Sequence, residues 1–181
     1  MKKIKIAVAA ALVMMGLVAN CSTAQAAEAD GTDNTITVRR LTEQEAAAFD
    51  RMSTGIQQIQ ISEEFEAPAD RANASYSVYE YSDSFGFYKG DLLIARAVPV
   101  CTVWRYTDGK VHLYRRTISI YRAEGYSISK SYGSIVNTDG SVSYTSGDTV
   151  TVYDNVYTTT WTYAIDFYVT PETQYFSCYG V

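Results

Sequence analysis

The run VYTTTWTYAIDFYVT, residues 156–170, decides the fold. Its odd positions are Tyr157, Thr159, Trp161, Tyr163, Ile165, Phe167 and Val169, and its even positions are Val156, Thr158, Thr160, Thr162, Ala164, Asp166, Tyr168 and Thr170. Successive side chains of a strand point to opposite faces. The segment therefore predicts a long strand with one aromatic and aliphatic face on a core and one threonine-rich face toward water. Asp166 is the single acid on the polar face and is expected to be solvated.

The flanking sequence repeats the theme. Beyond residue 73, Val, Ile, Thr and Tyr dominate, and turn formers recur at Lys89-Gly90-Asp91, Asp108-Gly109, Glu124-Gly125, Asp139-Gly140, Gly147-Asp148 and Asp154-Asn155. Strands are predicted near 74–82, 92–106, 110–121, 126–136, 141–145, 149–153, 156–170 and 174–181, with no helical period among them. The fold class expected is mainly β, an antiparallel meander forming a β-sandwich or a small barrel. Asp108-Gly109 predicts a two-residue type I′ hairpin, which would place Trp104 opposite Leu113, Arg105 opposite His112 and Cys101 opposite Arg116. In that register the apolar side switches face along the second strand, which suggests a β-bulge near Arg115-Arg116 or a strand covered on both faces.

Upstream the composition changes. Residues 27–72 hold two aromatics, Phe49 and Phe65, whereas residues 73–181 hold the other 22, including all 16 Tyr. Residues 27–91 carry 13 acids against 5 bases, and residues 92–181 carry 7 of each. We read 27–72 as an acidic N-terminal segment and 73–181 as an aromatic-rich β domain. Within the segment, 27–38 is polar and expected to be mobile. Thr42 and Glu45 form a capping box that predicts one short α-helix over about 42–54, ahead of the sheet. Ile56, Ile59 and Ile61 suggest a short strand, and residues 63–68 a solvated linker.

Residues 1–26 have the form of a secretory signal. Lys2, Lys3 and Lys5 precede 14 uncharged residues, Ile6 to Ala19, and Ala24-Gln25-Ala26 offers a small-x-small cleavage site. Cleavage after Ala26 would leave 155 residues with a net charge of −8, secreted from a bacterial cell. The rival reading is a lipid anchor at Cys21, in a cell-envelope lipoprotein, but Asn20 is a poor residue to precede an acylated cysteine. Cys101 and Cys178 would survive export, and oxidising surroundings favour a disulfide between them. Its 77-residue span corresponds to about 4.5 kcal/mol of chain entropy.

Chemistry is restricted by what is scarce. His112 is the only histidine, which excludes multi-histidine metal sites, and two mature cysteines exclude the usual zinc fingers. A general base at His112 would sit beside Arg105, which disfavours the imidazolium. A surface position packed on a cross-strand neighbour is the simpler reading. No phosphate-binding, dinucleotide-binding, nucleophile-elbow or zinc-protease motif occurs, so no enzyme, metal or cofactor is expected. The acidic balance argues against nucleic acid and anionic lipid. The aromatic surplus remains. Tyr106, Tyr114, Tyr121, Tyr126 and Tyr132 interleave with basic residues, and exposed tyrosines give contact area at low entropic cost with a polar tip. The expected role is recognition of an extracellular protein or glycan through a Tyr- and Trp-lined surface. A small outer-membrane barrel and a secreted hydrolase using carboxylates such as Asp166 or Glu80 are the alternatives.

Overall fold

The computed structural model describes residues 35–52, 57–131, 135–137 and 143–181. The expected leader over residues 1–26, Cys21, Tyr132 and the last residues expected of the helix lie outside them. The chain runs β1 (Ile36–Arg40), α1 (Glu43–Arg51), β2 (Gln57–Glu64), a 3-10 turn (Ala69–Arg71), β3 (Tyr76–Ser82), β4 (Phe85–Lys89), β5 (Leu92–Tyr106), β6 (Val111–Arg122), β7 (Tyr126–Ser131), β8 (Ile135–Asn137), β9 (Ser143–Asp154), β10 (Thr160–Val169) and β11 (Gln174–Gly180). All pairings among them are antiparallel. They form two sheets of a sandwich. One has the order β1-β4-β5-β6-β2, with β3 continuing the line of β4 along the far half of β5; the other has the order β11-β10-β9-β7, with β8 also on β9.

The core face of β10 is the one its alternation predicts, although Ala164 and Asp166 of the other face are buried as well. Tyr163, Ile165, Phe167 and Val169 are buried and join Phe87, Ile94, Val103, Leu113, Ile118 and Ile120 of the opposite sheet in one core. Each such large side chain removed from water contributes about 1.5–3 kcal/mol. The strand is shorter than expected at its start. Residues 155–157 turn, and Thr158 sits at φ +56°, a costly conformation for a β-branched residue. Asp154 holds the turn by accepting from the amides of Val156 and Tyr157 at 2.9 and 3.1 Å and from Lys89 Nζ at 2.9 Å. Tyr157, expected on the core face, is instead exposed.

The β5–β6 hairpin corrects the turn and moves the bulge. The loop is Thr107-Asp108-Gly109, closed by Tyr106 N–H to Lys110 O at 2.9 Å and Gly109 N–H to Tyr106 O at 3.0 Å. Gly109 takes φ +85°, the position at which a three-residue hairpin needs glycine. Trp104 therefore faces His112, and Arg105 faces Val111. The register shifts by one residue between Thr102 and Val103, opposite Tyr114, and from there Cys101 faces Arg116 as expected. The bulge lies one residue before the predicted place. It is what keeps both Leu113 and Ile118 on the core side.

The described part of the acidic segment contributes two strands to the sheet. Ile36 and Val38 turn inward on β1, which pairs with β4, and β2 pairs with β6 from Gln57 to Glu64. The stretch expected to be mobile thus ends in a strand, Glu63 and Glu64 close β2, and the helix lies between two strands. Its capping box forms as read: Glu45 N–H donates to Thr42 Oγ1, and Thr42 N–H donates to Glu45 Oε2. The Arg39 guanidinium on Glu45 holds that carboxyl down at about 2. Helix α1 covers the outer face of β4–β5. Asp50 pairs with Arg96 at 2.6 Å, and the Leu41 side chain fills the space over Gly86, where a Cβ would come within 2.6 Å of it.

From β2 the chain crosses to β3 over the other end of that outer face, through residues 65–75. Phe65 N–H donates to Tyr114 O, and the Phe65 carbonyl lies 3.4 Å from His112 Nε2. His112 is therefore buried, at 3% exposure, not at the surface as expected. Burial lowers its pKa below the ordinary 6.5. The unfolded chain takes up this proton first as pH falls, so stability should decline below pH 6.5, by at most about 1.4 kcal/mol per pH unit for one proton. Urea midpoints across pH 5–7 should show a slope that His112→Gln flattens; an equal slope in both proteins would assign it to other groups.

Between the sheets lies a buried charge cluster. Asp148 Oδ1 of β9 stands 3.3 Å from Lys130 Nζ of β7 and 3.7 Å from Arg116 Nη2 of β6, and Arg116 also holds Glu63 of β2 at 2.9 Å. The Arg116 and Lys130 side chains are 3% and 1% exposed. Burial pushes the Asp148 carboxyl up and the Lys130 ammonium down, while their mutual attraction opposes both shifts.

Candidate recognition face

The tyrosines singled out from sequence do not share one surface. Tyr106 is buried, with the Arg71 guanidinium 5.0 Å above its ring. Tyr114 stacks on Trp104 at 4.5 Å, and Trp104 stacks on Tyr76 at 4.3 Å. Tyr121 lies half-buried under Arg96, and Tyr126 packs against the core in the other sheet. Tyr132 lies outside the described residues. Sequence spacing missed the reason for this dispersal, which is that the crossover and helix α1 cover much of the face on which Tyr106, Tyr114 and Tyr121 stand.

The outer face of the five-stranded sheet is different. Register assigns to it Ser127, Ser129 and Ser131 of β7; Thr149, Thr151 and Tyr153 of β9; Thr160, Thr162, Ala164, Asp166 and Tyr168 of β10; and Tyr175, Ser177 and Tyr179 of β11. These are alternate residues of strands whose other faces fill the core, which is why the threonine periodicity of 160–168 pointed to a wet surface. Tyr153, Tyr175 and Tyr179 are exposed by 37%, 51% and 42%. Among the described residues the face carries one charge, Asp166, and no helix or crossover lies on it.

Its rings are tethered across the sheet. Tyr179 Oη donates to Asp166 Oδ2 at 2.8 Å, and that bond to a carboxylate raises the phenol's pKa. The Tyr153 hydroxyl is 3.1 Å from Ser129 Oγ, Thr151 and Thr162 share a hydrogen bond at 3.2 Å, and the Tyr168 and Tyr175 rings lie 5.1 Å apart. A tyrosine whose hydroxyl reaches a neighbour on the same face lies along the sheet rather than standing out from it. Asp166 is buried at the register shift of β10 against β9, which corrects its expected solvation. As acceptor for Tyr179 it orients a ring.

Other chemistry is not assembled among the described residues. Glu80 stands on the opposite sheet, 4.0 Å from Arg115 and well exposed, so it and Asp166 do not form a carboxylate pair. No group of three His, Cys, Asp or Glu gathers there. Cys101 and Cys178 are free thiols, which corrects the expected disulfide. Cys101 stands on β5 beside Arg116, Cys178 on β11 beside Ile165. Burial drives both thiol pKa values upward, with Asp148 adding to the effect at Cys101 and Asp166 at Cys178; neither is poised as a nucleophile. No helix among the described residues is long and apolar enough to cross a membrane. No protein-family model, curated protein or solved structure matches the chain.

Proposed function

We propose that the protein is a non-enzymatic recognition domain, secreted from a bacterial cell by the leader over residues 1–26, which binds an extracellular protein or glycan through the outer face of its five-stranded sheet. One observation carries this reading. A protein with 20 acids and 15 bases presents a broad sheet face on which hydroxyls and tethered tyrosine rings stand with a single charge among the described residues. Pinned rings meet a partner without first losing rotamer freedom, which lowers the entropic cost of binding. The hydroxyl exterior and apolar interior support this reading over an outer-membrane barrel, whose lipid-facing exterior is apolar. The wide separation of Glu80 from Asp166 supports it over a carboxylate hydrolase.

The test uses the chain from residue 27 on glycan arrays and against purified extracellular proteins. A ligand is expected whose binding is lost in a Tyr175→Ser/Tyr179→Ser variant with an unchanged circular dichroism spectrum. Silence on both panels, or a ligand held equally well by the variant, would count against the proposal.

A further inference from the structure

We infer that the ligand of this face is a linear, uncharged polysaccharide lying obliquely across the strands from β9 to β11, an assignment that rests on the recognition reading above. Register places the tyrosines at even steps along β10. Tyr153 is level with Thr160, Tyr179 with Ala164, and Tyr175 with Tyr168. Each step is four residues, so the rows stand about 13 Å apart and the track is about 26 Å long. Between them lie rows of polar groups, Thr151 with Thr162 and then Asp166 with Ser177. The track moves from β9 to β11 along its length, two strand spacings or about 10 Å, so it runs obliquely across a surface that no helix or crossover among the described residues covers.

A pyranose chain carries the complementary sequence of groups. Its axial C–H faces lie on aromatic rings, and its equatorial hydroxyls point sideways to donors and acceptors. The hydrogen bonds of Tyr153 to Ser129 and of Tyr179 to Asp166 fix those two side chains against the sheet before a sugar arrives. Charge selects among glycans. The described face has no cation, so uronates, sulfates and phosphates find no counter-charge, and the excess of acids elsewhere repels them. A protein partner is less well served, because the described face offers tyrosine without tryptophan or arginine, the other two residue types in which protein hot spots are enriched.

The experiment is native affinity electrophoresis of the chain from residue 27 in gels containing hydroxyethylcellulose, barley β-glucan, galactomannan or dextran, with alginate as the anionic polymer. Calorimetry then follows with graded oligosaccharides of whichever polymer retards the protein. At least one neutral polymer should retard it and alginate should not. Affinity should grow with chain length until the oligosaccharide spans the track. Tyr153→Ala and Tyr175→Ala, at opposite ends, should each weaken the long chain about tenfold with unchanged circular dichroism. No retardation by any neutral polymer overturns the polysaccharide assignment. If a purified protein is still bound through the same tyrosines, the recognition face stands; if that also fails, both readings fall. A monosaccharide bound as tightly as the long chain would overturn the extended track.

Discussion

Replacing Asp148 with alanine is expected to lower the stability of the folded chain by about 3–5 kcal/mol, read from urea denaturation with an unchanged m-value. The size follows from where the carboxylate stands. It lies between the Lys130 ammonium at 3.3 Å and the Arg116 guanidinium at 3.7 Å. Both side chains are almost wholly withdrawn from water, and moving a charge into such surroundings is tolerated only when an opposite charge comes with it. Glu63 holds Arg116 from the solvent side but bridges strands of one sheet only. Asp148 is the anion that joins β6 of one sheet to β7 and β9 of the other. Asp148→Asn, which keeps a polar acceptor without the charge, should lose less than the alanine variant. Exchange of Arg116, Lys130 and Asp148 together for apolar residues of similar volume should restore much of the loss, as apolar packing often matches a buried ion cluster. An alanine cost below about 1 kcal/mol, the range of exposed ion pairs, would mean that water reaches the cluster.

The second large effect is at Phe87. Its side chain is fully buried, and its ring meets that of Tyr163 edge-on at 4.9 Å across the two sheets. Tyr163 in turn donates its hydroxyl to the Ile36 carbonyl at 3.1 Å, so the pair ties β1 and β4 to β10. Phe87→Ala removes the transfer energy of the ring and leaves a cavity that two rigid sheets cannot close, and a cost of about 3–5 kcal/mol is expected. Phe87→Leu retains most of the volume and should cost less than half as much. The two variants separate cavity from interaction: equal losses would show that the aromatic contact dominates and the void is small. Because the ring lies far from the outer tyrosines in the layer order, neither variant should alter ligand binding in the fraction that remains folded.

The elements that could be read directly from sequence are those whose signal is local. The period of two in residues 160–169 set which side chains of β10 meet the core, since a pleated backbone allows no other arrangement. Thr42 and Glu45 announced the start of α1 because a capping box needs only groups three residues apart. The conflict of apolar faces across the Asp108-Gly109 hairpin called for a bulge, and the structure has one at Tyr114. By contrast, β4 and β1 carry few residues and weak patterns; β4 is held by pairing with β5, and β1 by pairing with β4. Of the tyrosines chosen for their spacing along the chain, the four described ones, Tyr106, Tyr114, Tyr121 and Tyr126, were divided between the two sheets by topology, and the candidate face drew instead on Tyr153, Tyr168, Tyr175 and Tyr179, which are neighbours only through strand register.

By itself, then, the order of residues determined a β protein with an aromatic interior, one capped helix and a hydroxyl-bearing strand face, because alternation, capping and turn chemistry act over a few residues. Only the tertiary structure decided that Glu63 and Asp148 would share Arg116, that His112 would be covered, that Cys101 and Cys178 would stand as free thiols, and which sheet face would gather Tyr153, Tyr168, Tyr175 and Tyr179. Those outcomes depend on which segments cross which sheet. That choice is made by the summed burial of the whole core, to which no short stretch of sequence gives access.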